Sequence, residues 1–327
     1  MIFGTLPGGA PVELFELSSD KLTVRISNYG GRIISVVKDG MDMIVGPKHF
    51  EDMLKDTCYC GAICGRVANR IAKGRFSIDG DSRTVAVNNG PNHLHGGTKN
   101  FANRLWESRV ETNRVVMSLL SEDGDQNYPG ELNVEAVFDF DDDNALEITY
   151  LAKTDKTTVV NLTNHVYFNL AGDGSGSILD HELRLNSSKI LEMNERQIPT
   201  GKLLDAAGTP QDFREFRSFR PGISSEFNHI RDFKGYDHPF VIDGWQPNIL
   251  GEVGELREKS SGRCVKVLSS QPSVMIYTGN WLAGGCPETK TGGRYNDYDG
   301  VAIECQNYPD AVNHPDRKST RLNSSHY

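Results

Sequence analysis

The sequence has no long hydrophobic run, and this absence bears on where the protein can reside. Nowhere in its 327 residues do apolar side chains approach the succession of roughly 20 that a membrane-spanning helix requires. The segment from Met1 to Gly8 has no basic region followed by an apolar stretch, so we expect no signal peptide. These features predict a cytoplasmic location and no membrane association.

Positive charge is scarce relative to negative charge. The 35 lysines and arginines are outnumbered by 44 aspartates and glutamates, which gives a formal net charge of −9. The basic residues form no continuous stripe along the chain. The sequence is therefore a poor candidate for binding nucleic acid or anionic lipid surfaces.

Cysteine is infrequent, and the familiar nucleotide and hydrolase motifs are missing. Three of the six cysteines cluster at Cys58, Cys60 and Cys64, but this spacing matches neither zinc knuckles nor iron–sulfur motifs. Reduced, half-buried thiols are the favoured interpretation. The chain also lacks a G-x-S-x-G elbow, a P-loop and a G-x-G-x-x-G after a strand, which argues against α/β hydrolases, nucleotide enzymes and dehydrogenases.

What the sequence does contain is the period-2 alternation of β-strands. Apolar and polar residues alternate, with Gly, Asn, Asp and Pro between the runs, which indicates strands with one buried face. Ser260-Ser261-Gly262 is predicted to form a hairpin turn. Helical signals are limited to 47–56 and one or two turns at 211–217. The pattern predicts an all-β sandwich or barrel-like domain with few short helices. The predicted strands cover 22–26, 32–37, 115–120, 134–140, 146–152, 182–186, 239–243, 264–268, 273–277 and 301–305.

No linker, repeat or shift in composition divides the chain. We therefore predict one domain over residues 1–315. Residues 316–327 are polar and show no strand alternation. We predict that this short tail is disordered or foreign to the native fold.

One predicted strand, from Asn161 to Leu170, combines an apolar face with a polar one. Solvent-facing strand positions usually carry lysine, glutamate or threonine, but this polar face has no flexible charged side chain. We expect it to line a wet cavity that binds a polyhydroxylated ligand, although an ordinary solvent face is the alternative. The polar face consists of Asn161, Thr163, His165, Tyr167 and Asn169.

A second strand, within Gly300 to Tyr308, places Glu304 and Gln306 on one face and apolar residues on the other. Burial would raise the pKa of the Glu304 carboxyl, whereas a hydrogen-bond donor such as Gln306 could hold it ionised. An exposed glutamate on an edge strand is the alternative, because glutamate is rarely buried without a partner.

A turn-rich loop from Asn88 to Gly97 contains His93 and His95. Two histidines at this spacing could bind a metal, but no third ligand is evident nearby in the sequence. A hydrogen-bonding role for one of the two is therefore favoured over a metal site.

Two further segments offer polar groups suited to sugar hydroxyls. The segment from Gly65 to Ile71 contains Arg66, Asn69 and Arg70, and arginine supplies a planar fork of hydrogen-bond donors. Asp237 precedes a predicted strand and could either accept hydrogen bonds from a ligand or shape a turn.

Taken in order, these segments resemble the aldose 1-epimerases, also called galactose mutarotases. The resemblance covers about 300 residues and rests on an ordered set of motifs rather than on any single one. It implies a large antiparallel β-sandwich with an open polar cleft on one face. The motifs are GRVANRI at 65–71, NHLHGG at 92–97, NHVYFNL at 164–170, GYDH at 235–238, VMIYTGN at 274–280 and ECQNYPD at 304–310.

The resemblance also implies roles for individual residues. The catalytic base of the family corresponds to Glu304 and the catalytic acid to His165, with no metal or cofactor required. Tyr277 and Trp281 could pack against the apolar face of a sugar or belong to the core. The positions implied for sugar binding are Arg70, His95, Asp237, Asn69 and Gln306.

The implied activity is the interconversion of α and β anomers of free hexoses such as glucose and galactose, by a monomer or homodimer. A hexose-6-phosphate 1-epimerase is one alternative, but it needs extra cations, and only Arg66 and Arg70 are candidates. A non-catalytic sugar-binding module is the other, although such a module needs no matched acid and base. From Arg317 onward the sequence departs from the family pattern.

Overall fold

Strands dominate the computed structural model, which describes residues 1–286 and 288–317. Within these residues there are 26 strands, three α-helices of one turn each and four short 3₁₀ segments. The helices are α1 (Phe50–Met53), α2 (Arg220–Ile223) and α3 (Asn228–Arg231), and the 3₁₀ segments are Ala72–Gly74, Phe101–Asn103, Asp125–Asn127 and Ala311–Asn313.

The strands of the first half of the chain are β1 (Ile2–Thr5), β2 (Pro11–Ser18), β3 (Thr23–Ser27), β4 (Arg32–Lys38), β5 (Met41–Asp42), β6 (Ile44–Val45), β7 (Ile63–Cys64), β8 (Arg70–Ile71), β9 (Arg75–Ile78), β10 (Asp81–Thr84), β11 (His93–Leu94), β12 (Glu107–Glu111), β13 (Arg114–Ser121), β14 (Leu132–Phe140) and β15 (Leu146–Thr154). Those of the second half are β16 (Thr163–Asn164), β17 (Tyr167–Phe168), β18 (Glu182–Leu185), β19 (Lys189–Met193), β20 (Pro199–Asp205), β21 (Arg217–Ser218), β22 (Asp237–Val241), β23 (Gly251–Arg257), β24 (Cys264–Ser269), β25 (Ser273–Tyr277) and β26 (Val301–Gln306).

The strands form four larger sheets and three two-stranded ribbons. The largest sheet has seven strands in the order β20-β19-β22-β25-β26-β17-β6. The others are ordered β1-β2-β3-β4-β5, β12-β13-β14-β15 and β21-β18-β23-β24, and the ribbons pair β9 with β10, β8 with β11, and β7 with β16. Neighbouring strands of the seven-stranded sheet pair antiparallel, which confirms the predicted all-β antiparallel class.

The alternation rule located the long strands correctly because each has one face in the core. All ten predicted strands are present, and Ser260 to Gly262 does connect β23 to β24 in a hairpin. The main core cluster takes Val134, Ala136 and Phe138 from β14 and joins them to the inner faces of the other large sheets. The same cluster includes Val274, Ile276 and Val301 of the seven-stranded sheet, so that sheet has one face in the core and its opposite face can carry polar side chains.

The helix predictions were less accurate. Within 47–56 only α1 is helical, and no helix forms at 211–217. There the backbone carbonyl of Phe213 accepts a hydrogen bond from the Leu185 amide at 2.7 Å, while the Phe213 ring packs in the core. The Phe216 ring instead lies 3.6 Å from the Arg257 guanidinium. Tertiary contacts on two sides therefore hold this segment in a non-helical conformation.

The prediction of one continuous strand from Asn161 to Leu170 is also wrong. The segment is broken at His165–Val166, because β16 pairs with β7 whereas β17 belongs to the seven-stranded sheet. The chain changes sheets at this break. The polar side chains of the segment therefore do not all lie on one face of one sheet.

A buried ion pair fastens the loop that follows α1. The Arg32 guanidinium lies 2.5 Å from the Asp56 carboxylate, and the two side chains are 1% and 0% exposed. Asp56 also accepts hydrogen bonds from the backbone amides of Cys58 and Cys60, and Arg32 donates to the Cys60 carbonyl. These bonds satisfy the carboxylate that burial would otherwise destabilise, and they fix the course of residues 56–60.

The end of the described chain is folded against the seven-stranded sheet. Arg317 donates to the Gly201 carbonyl on β20 at 2.6 Å, and its guanidinium lies 5.9 Å from the Tyr308 ring centroid. The remainder of the predicted tail, residues 318–327, lies outside the described residues. None of the three α-helices in the described chain has the length and apolar character needed to cross a membrane.

We predict that Asp56→Asn lowers the free energy of unfolding by about 3 kcal/mol, because it leaves the Arg32 charge buried without its counter-ion. Urea denaturation followed by tryptophan fluorescence measures this change. Asp81→Asn is the matched control: Asp81 pairs with Arg83 at the surface, so its loss leaves stability nearly unchanged. Equal midpoints for the two variants would show that the buried pair does not hold the loop.

Candidate active site

The register of the seven-stranded sheet aligns four residues in a row on the face opposite the core. Asp237 on β22 lies opposite Tyr277 on β25, and Tyr277 lies opposite Ala302 on β26. Ala302 in turn lies opposite Tyr167 on β17. Directly opposed residues of antiparallel strands point to the same face, so this row forms one polar surface. Glu304 lies two residues beyond Ala302 and shares that face.

Glu304 is buried in the middle of the sheet. Its neighbour Ile303 faces the core with Val301, and the Glu304 residue is 3% exposed. Because β26 lies between β25 and β17, the alternative of an exposed edge-strand glutamate is wrong. Within the described structure, Glu304 Oε2 has no hydrogen-bond partner, so this oxygen is free to meet a ligand.

The strand break places His165 beside Glu304. The His165 amide donates to the Ala62 carbonyl and its own carbonyl accepts from the Gly61 amide, each at 2.9 Å. These two bonds hold the residue between β16 and β17. The imidazole Nε2 then lies 3.5 Å from Glu304 Oε1, with both side chains almost fully buried.

Burial shifts both members of this pair toward their neutral forms. It raises the pKa of Glu304 to about 8, with the Asp237 carboxylate adding to the rise and Arg70 opposing it. Burial lowers the pKa of His165 to about 4. At neutral pH the pair carries one transferable proton, held by the Glu304 carboxyl.

The loop from Asn92 to Gly97 places His95 against the same pair. The His95 ring centroid lies 5.5 Å from that of His165 and 4.8 Å from that of Tyr59. Gly96 has a φ of +92°, and a Cβ there would meet the Gly65 carbonyl oxygen at 1.7 Å. Only glycine permits this close approach of the two motif loops, which brings His95 next to Asn69 and Arg70.

The hydrogen bonds of His95 define its tautomer. The Asn69 backbone amide donates to His95 Nδ1 at 3.2 Å, and burial lowers the pKa of the ring so that it is neutral. A neutral imidazole whose Nδ1 accepts must carry its proton on Nε2. His95 therefore presents an N–H donor, which suits a sugar oxygen.

The same tautomer argues against a metal at this site. Ligand atoms of His95, His165 and Glu304 lie within 4.8 Å of one another, close enough to suggest a metal cluster. A metal-binding imidazole offers the lone pair of one nitrogen and donates an N–H from the other. In His95 the Nδ1 lone pair is already used by the Asn69 amide, and Nε2 carries the proton. The three residues together do not fit a metal ion.

The turn before β22 positions Asp237, and the VMIYTGN motif explains how. Thr278 accepts a hydrogen bond from the Tyr236 amide at 3.1 Å. The Asn280 side chain donates to the carbonyls of Phe233 and Tyr236, each at 3.0 Å. These contacts fix the entry into β22, so Thr278 and Asn280 support Asp237 without reaching the cavity themselves.

A residue that the sequence did not single out connects two that it did. Gln197 accepts a hydrogen bond from Arg70 and donates one to Asp237. It lies in the turn between β19 and β20, and β19 is the sheet neighbour of β22. No motif marks Gln197, and pairing of these strands brings it close to Asp237 only in the folded chain.

Together these groups line a cavity of about 260 Å³ that opens to solvent. It is polar at the acid/base pair and aromatic at its mouth, where Trp281 is 63% exposed and Tyr277 contacts its backbone amide. Both aromatic residues therefore line the cavity rather than fill the core. The lining residues are Thr57, Cys58, Tyr59, Asn69, Arg70, Leu94, His95, His165, Tyr167, Gln197, Asp237, Tyr277, Trp281 and Glu304.

Several predicted residues lie elsewhere. Gln306 is fully buried and is not among the cavity-lining residues, and it makes no hydrogen bond to Glu304 in the described chain. Of the predicted polar strand face, His165 and Tyr167 reach the cavity. Thr163 instead donates to the Cys305 carbonyl, Asn161 bonds to Asn307, and Asn169 donates to Gly176 and Asp299. These three side chains connect strands and loops.

Arg66 is likewise structural. Its guanidinium is buried and donates to the carbonyls of Pro129, Gly130 and Ser121. Among the described lining residues, Arg70 is then the one arginine or lysine in the cavity. Among its described lining residues, the cavity therefore lacks the cluster of cations that recognition of a phosphorylated sugar requires.

Comparisons with known proteins agree with this architecture. The sequence profile of the aldose 1-epimerase family matches residues 13–326, a range that includes the segment beyond Arg317. Galactose mutarotase from Bos taurus is 42% identical over 322 residues, covering 96% of this chain and 91% of its own. The Homo sapiens galactose mutarotase is 41% identical with the same coverage. Aldose 1-epimerase from Escherichia coli K12 is 35% identical and covers 95% of this chain and 90% of its own.

Solved structures show the same fold. A galactose 1-epimerase from Lactobacillus acidophilus superposes with a TM-score of 0.84 at 27% identity, covering 97% of this chain and 92% of that one. An aldose epimerase homologue from C. elegans gives a TM-score of 0.85 at 26% identity, with coverages of 94% and 93%. Sequence and structure together place the chain in the aldose 1-epimerase family.

Proposed function

We propose that this protein is an isomerase that interconverts the α and β anomers of free aldohexoses such as glucose and galactose. The observation that carries the proposal is the buried His165–Glu304 pair, whose heads lie 3.5 Å apart in a cavity rich in hydroxyl-binding groups. The mutarotases and aldose 1-epimerases at 35–42% identity support the same activity.

Ring opening requires two proton movements at neighbouring oxygens. Opening starts from the arrangement in which the pair's one proton has passed from Glu304 to His165: Glu304 removes the proton of the C1 hydroxyl while His165 delivers its proton to the ring oxygen. The C1–O5 bond breaks and its electron pair becomes part of the new O5–H group, while C1 becomes an aldehyde. Both oxygens are bonded to the same carbon, so a carboxyl and an imidazole held side by side can serve them together.

Ring closure reverses the two roles. After opening, Glu304 carries the proton and His165 is neutral, which is the arrangement that burial of the two groups favours. Rotation about C1–C2 presents the other face of the aldehyde. His165 then takes the O5 proton, Glu304 protonates the carbonyl oxygen, and the opposite anomer forms with the number of protons on the pair unchanged.

The remaining lining residues suit a single free sugar. Arg70 and His95 offer N–H donors, Asp237 accepts hydrogen bonds, and Trp281 offers an exposed aromatic face. The cavity volume of about 260 Å³ lies just below the roughly 300–1,000 Å³ of pockets for drug-sized ligands. This size suits a ligand as small as one monosaccharide ring. The single arginine favours a neutral sugar over a hexose phosphate.

The burial of the pair also favours a catalyst over a sugar-binding module. Holding the Glu304 carboxyl in a low-dielectric site beside an imidazole costs stability, and a module that only binds sugar gains nothing from perturbed pKa values of this kind. A catalytic acid and base do benefit from these shifts. A raised pKa makes the Glu304 carboxylate a better proton acceptor, and a lowered pKa makes the His165 imidazolium a better proton donor.

We predict that His165→Asn and Glu304→Gln each reduce the catalysed rate of mutarotation by roughly 10²–10⁴-fold, because each removes one of the two proton-transfer groups. Polarimetry of freshly dissolved α-glucose and α-galactose measures the rate above the spontaneous reaction. The control is Glu226→Gln, at a side chain that is 94% exposed. Near-normal activity in either test variant, with the fold intact by circular dichroism, contradicts the role assigned to that residue.

We predict a bell-shaped dependence of kcat/KM on pH, because catalysis needs one proton shared by the pair. Below about pH 4 His165 becomes protonated as well, and above about pH 8 Glu304 loses its proton, so activity falls on both sides. Initial polarimetric rates corrected for the solvent reaction test this. A profile in which kcat/KM changes near pH 6.5 and does not fall near pH 8 would be inconsistent with pKa values shifted by burial of the pair.

We predict that Glu304→Gln makes the protein more stable at alkaline pH. The folded pKa of Glu304 is raised to about 8 whereas an unfolded glutamate titrates near 4, so the folded state holds an extra proton between these values. Wild-type stability should fall by about 2 kcal/mol from pH 6.5 to 8.5, a window above the pKa of His165, and the variant should lose much less. Urea denaturation across this window measures both slopes; parallel slopes would count against a raised pKa.

A further inference from the structure

Gln197 reaches the cavity from a firmly held turn. The Asn194 side chain accepts hydrogen bonds from the amides of Arg196 and Ile198 at 2.9 and 3.1 Å. The Gln197 amide donates to the Asn194 carbonyl at 2.9 Å, and Gln197 itself has a φ of +57°. Because the turn is fastened on both sides, the half-buried Gln197 side chain is directed into the cavity rather than out to solvent.

The orientation of the Gln197 carboxamide follows from its two partners. Arg70 can only donate hydrogen bonds and an ionised Asp237 can only accept them. The carbonyl oxygen must therefore face Arg70 and the amide nitrogen must face Asp237, as the structure has them. A reversed amide would bring donor against donor and acceptor against acceptor.

These two contacts use half of what the carboxamide offers. A glutamine side chain has two N–H donors and two oxygen lone pairs. Asp237 takes one donor and Arg70 takes one lone pair, which leaves one of each on a side chain that lines the cavity. A sugar hydroxyl also donates and accepts, so a single hydroxyl can satisfy both remaining positions.

We propose that Gln197 is a specificity-determining residue that contacts a ring hydroxyl of the aldose and holds Arg70 and Asp237 in position to bind it. This inference rests on the proposed mutarotase activity and assigns a role to a residue outside the family motifs. In the described structure the contacts of Gln197 involve Arg70 and Asp237 and not the His165–Glu304 pair. Its direct contacts are therefore with the sugar-binding residues, and not with the proton-transfer pair.

Removal of the carboxamide has a definite consequence. Without Gln197 between them, the Arg70 guanidinium and the Asp237 carboxylate can turn toward each other and pair directly. Each would then use on its partner the hydrogen bonds that it otherwise offers to the sugar. The cavity would lose the Gln197 contact and part of two others.

The first test is Gln197→Leu assayed by polarimetry over a range of glucose concentrations. We expect KM to rise roughly 10-fold, since hydrogen bonds at charged groups are lost, while kcat stays within about two-fold. The control is Arg196→Leu, because Arg196 lies in the same turn but is exposed. An unchanged KM in Gln197→Leu, or an equal rise in the control, overturns the proposal.

The second test separates direct contact from a purely structural role. Wild type and Gln197→Leu are each assayed with 2-, 3-, 4- and 6-deoxyglucose. We expect one deoxy sugar to be a poorer substrate than glucose for wild type yet to cost the variant nothing further, because that hydroxyl has already lost its partner. If every deoxy penalty is the same in both proteins, Gln197 does not touch the sugar and the proposal fails.

The third test uses Gln197→Glu, which keeps the shape but replaces the N–H₂ facing Asp237 with oxygen. Its KM should be raised at pH 7.5 and should fall toward the wild-type value near pH 5, where a protonated glutamate can donate to Asp237. A KM elevation independent of pH contradicts the proposed amide–carboxylate contact. If the wild-type protein does not accelerate mutarotation, the proposed function is wrong. If the wild-type protein is active and the Gln197 variants have the same kinetic constants, only the role of Gln197 is rejected.

Discussion

The antiparallel register of the seven-stranded sheet is the constraint on which the site depends. Asp237, Tyr277 and Ala302 are placed on one face because they are direct neighbours across strands, and Glu304 joins them by the two-residue repeat of β26. A slip of one residue would exchange this face for the apolar one and bury Asp237 in the core. Because the opposite face carries Val274, Ile276 and Val301 of the main core cluster, hydrophobic packing fixes the register and with it the spacing of Asp237 and Glu304.

Burial supplies the chemistry that the register positions. A carboxyl on a solvent-facing strand would be ionised at neutral pH and a poor proton donor. In the middle of this sheet the Glu304 pKa rises toward neutrality, while Arg70 and Asp237 act on it in opposite directions. The two charged residues that suit sugar hydroxyls therefore also influence the pKa of Glu304. Under the proposed function, the groups that bind the sugar and the group that moves its proton are electrostatically linked.

The sequence was most informative where one rule decided the outcome. Period-2 alternation located the ten predicted strands because each has a core face, and the ordered motifs pointed to His165 and Glu304, whose side chains the fold brings within 3.5 Å of each other. Alternation failed across His165, where the chain leaves one sheet for another, because a break in pairing leaves no mark on polarity. It also misplaced Gln306, whose strand face matches that of Glu304 although it lies too far along β26 to line the cavity. Gln197 could not be found at all, since its proximity to Arg70 arises from turn geometry and tertiary contact.

The sheet and the turns contribute different residues to the cavity. Glu304 and Asp237 project from paired strands whose register is held by the core, so they cannot move without disturbing it. Gln197 projects from a turn whose backbone is fastened by Asn194, and its side chain can change without altering any strand pairing. If Gln197 contacts the sugar as proposed, substitutions in this turn alter which hydroxyls are recognised while leaving the His165–Glu304 pair in place. Under the proposed roles, selectivity among aldoses then lies with the turn that carries Gln197, and proton transfer lies with Glu304 on the sheet and His165 beside it.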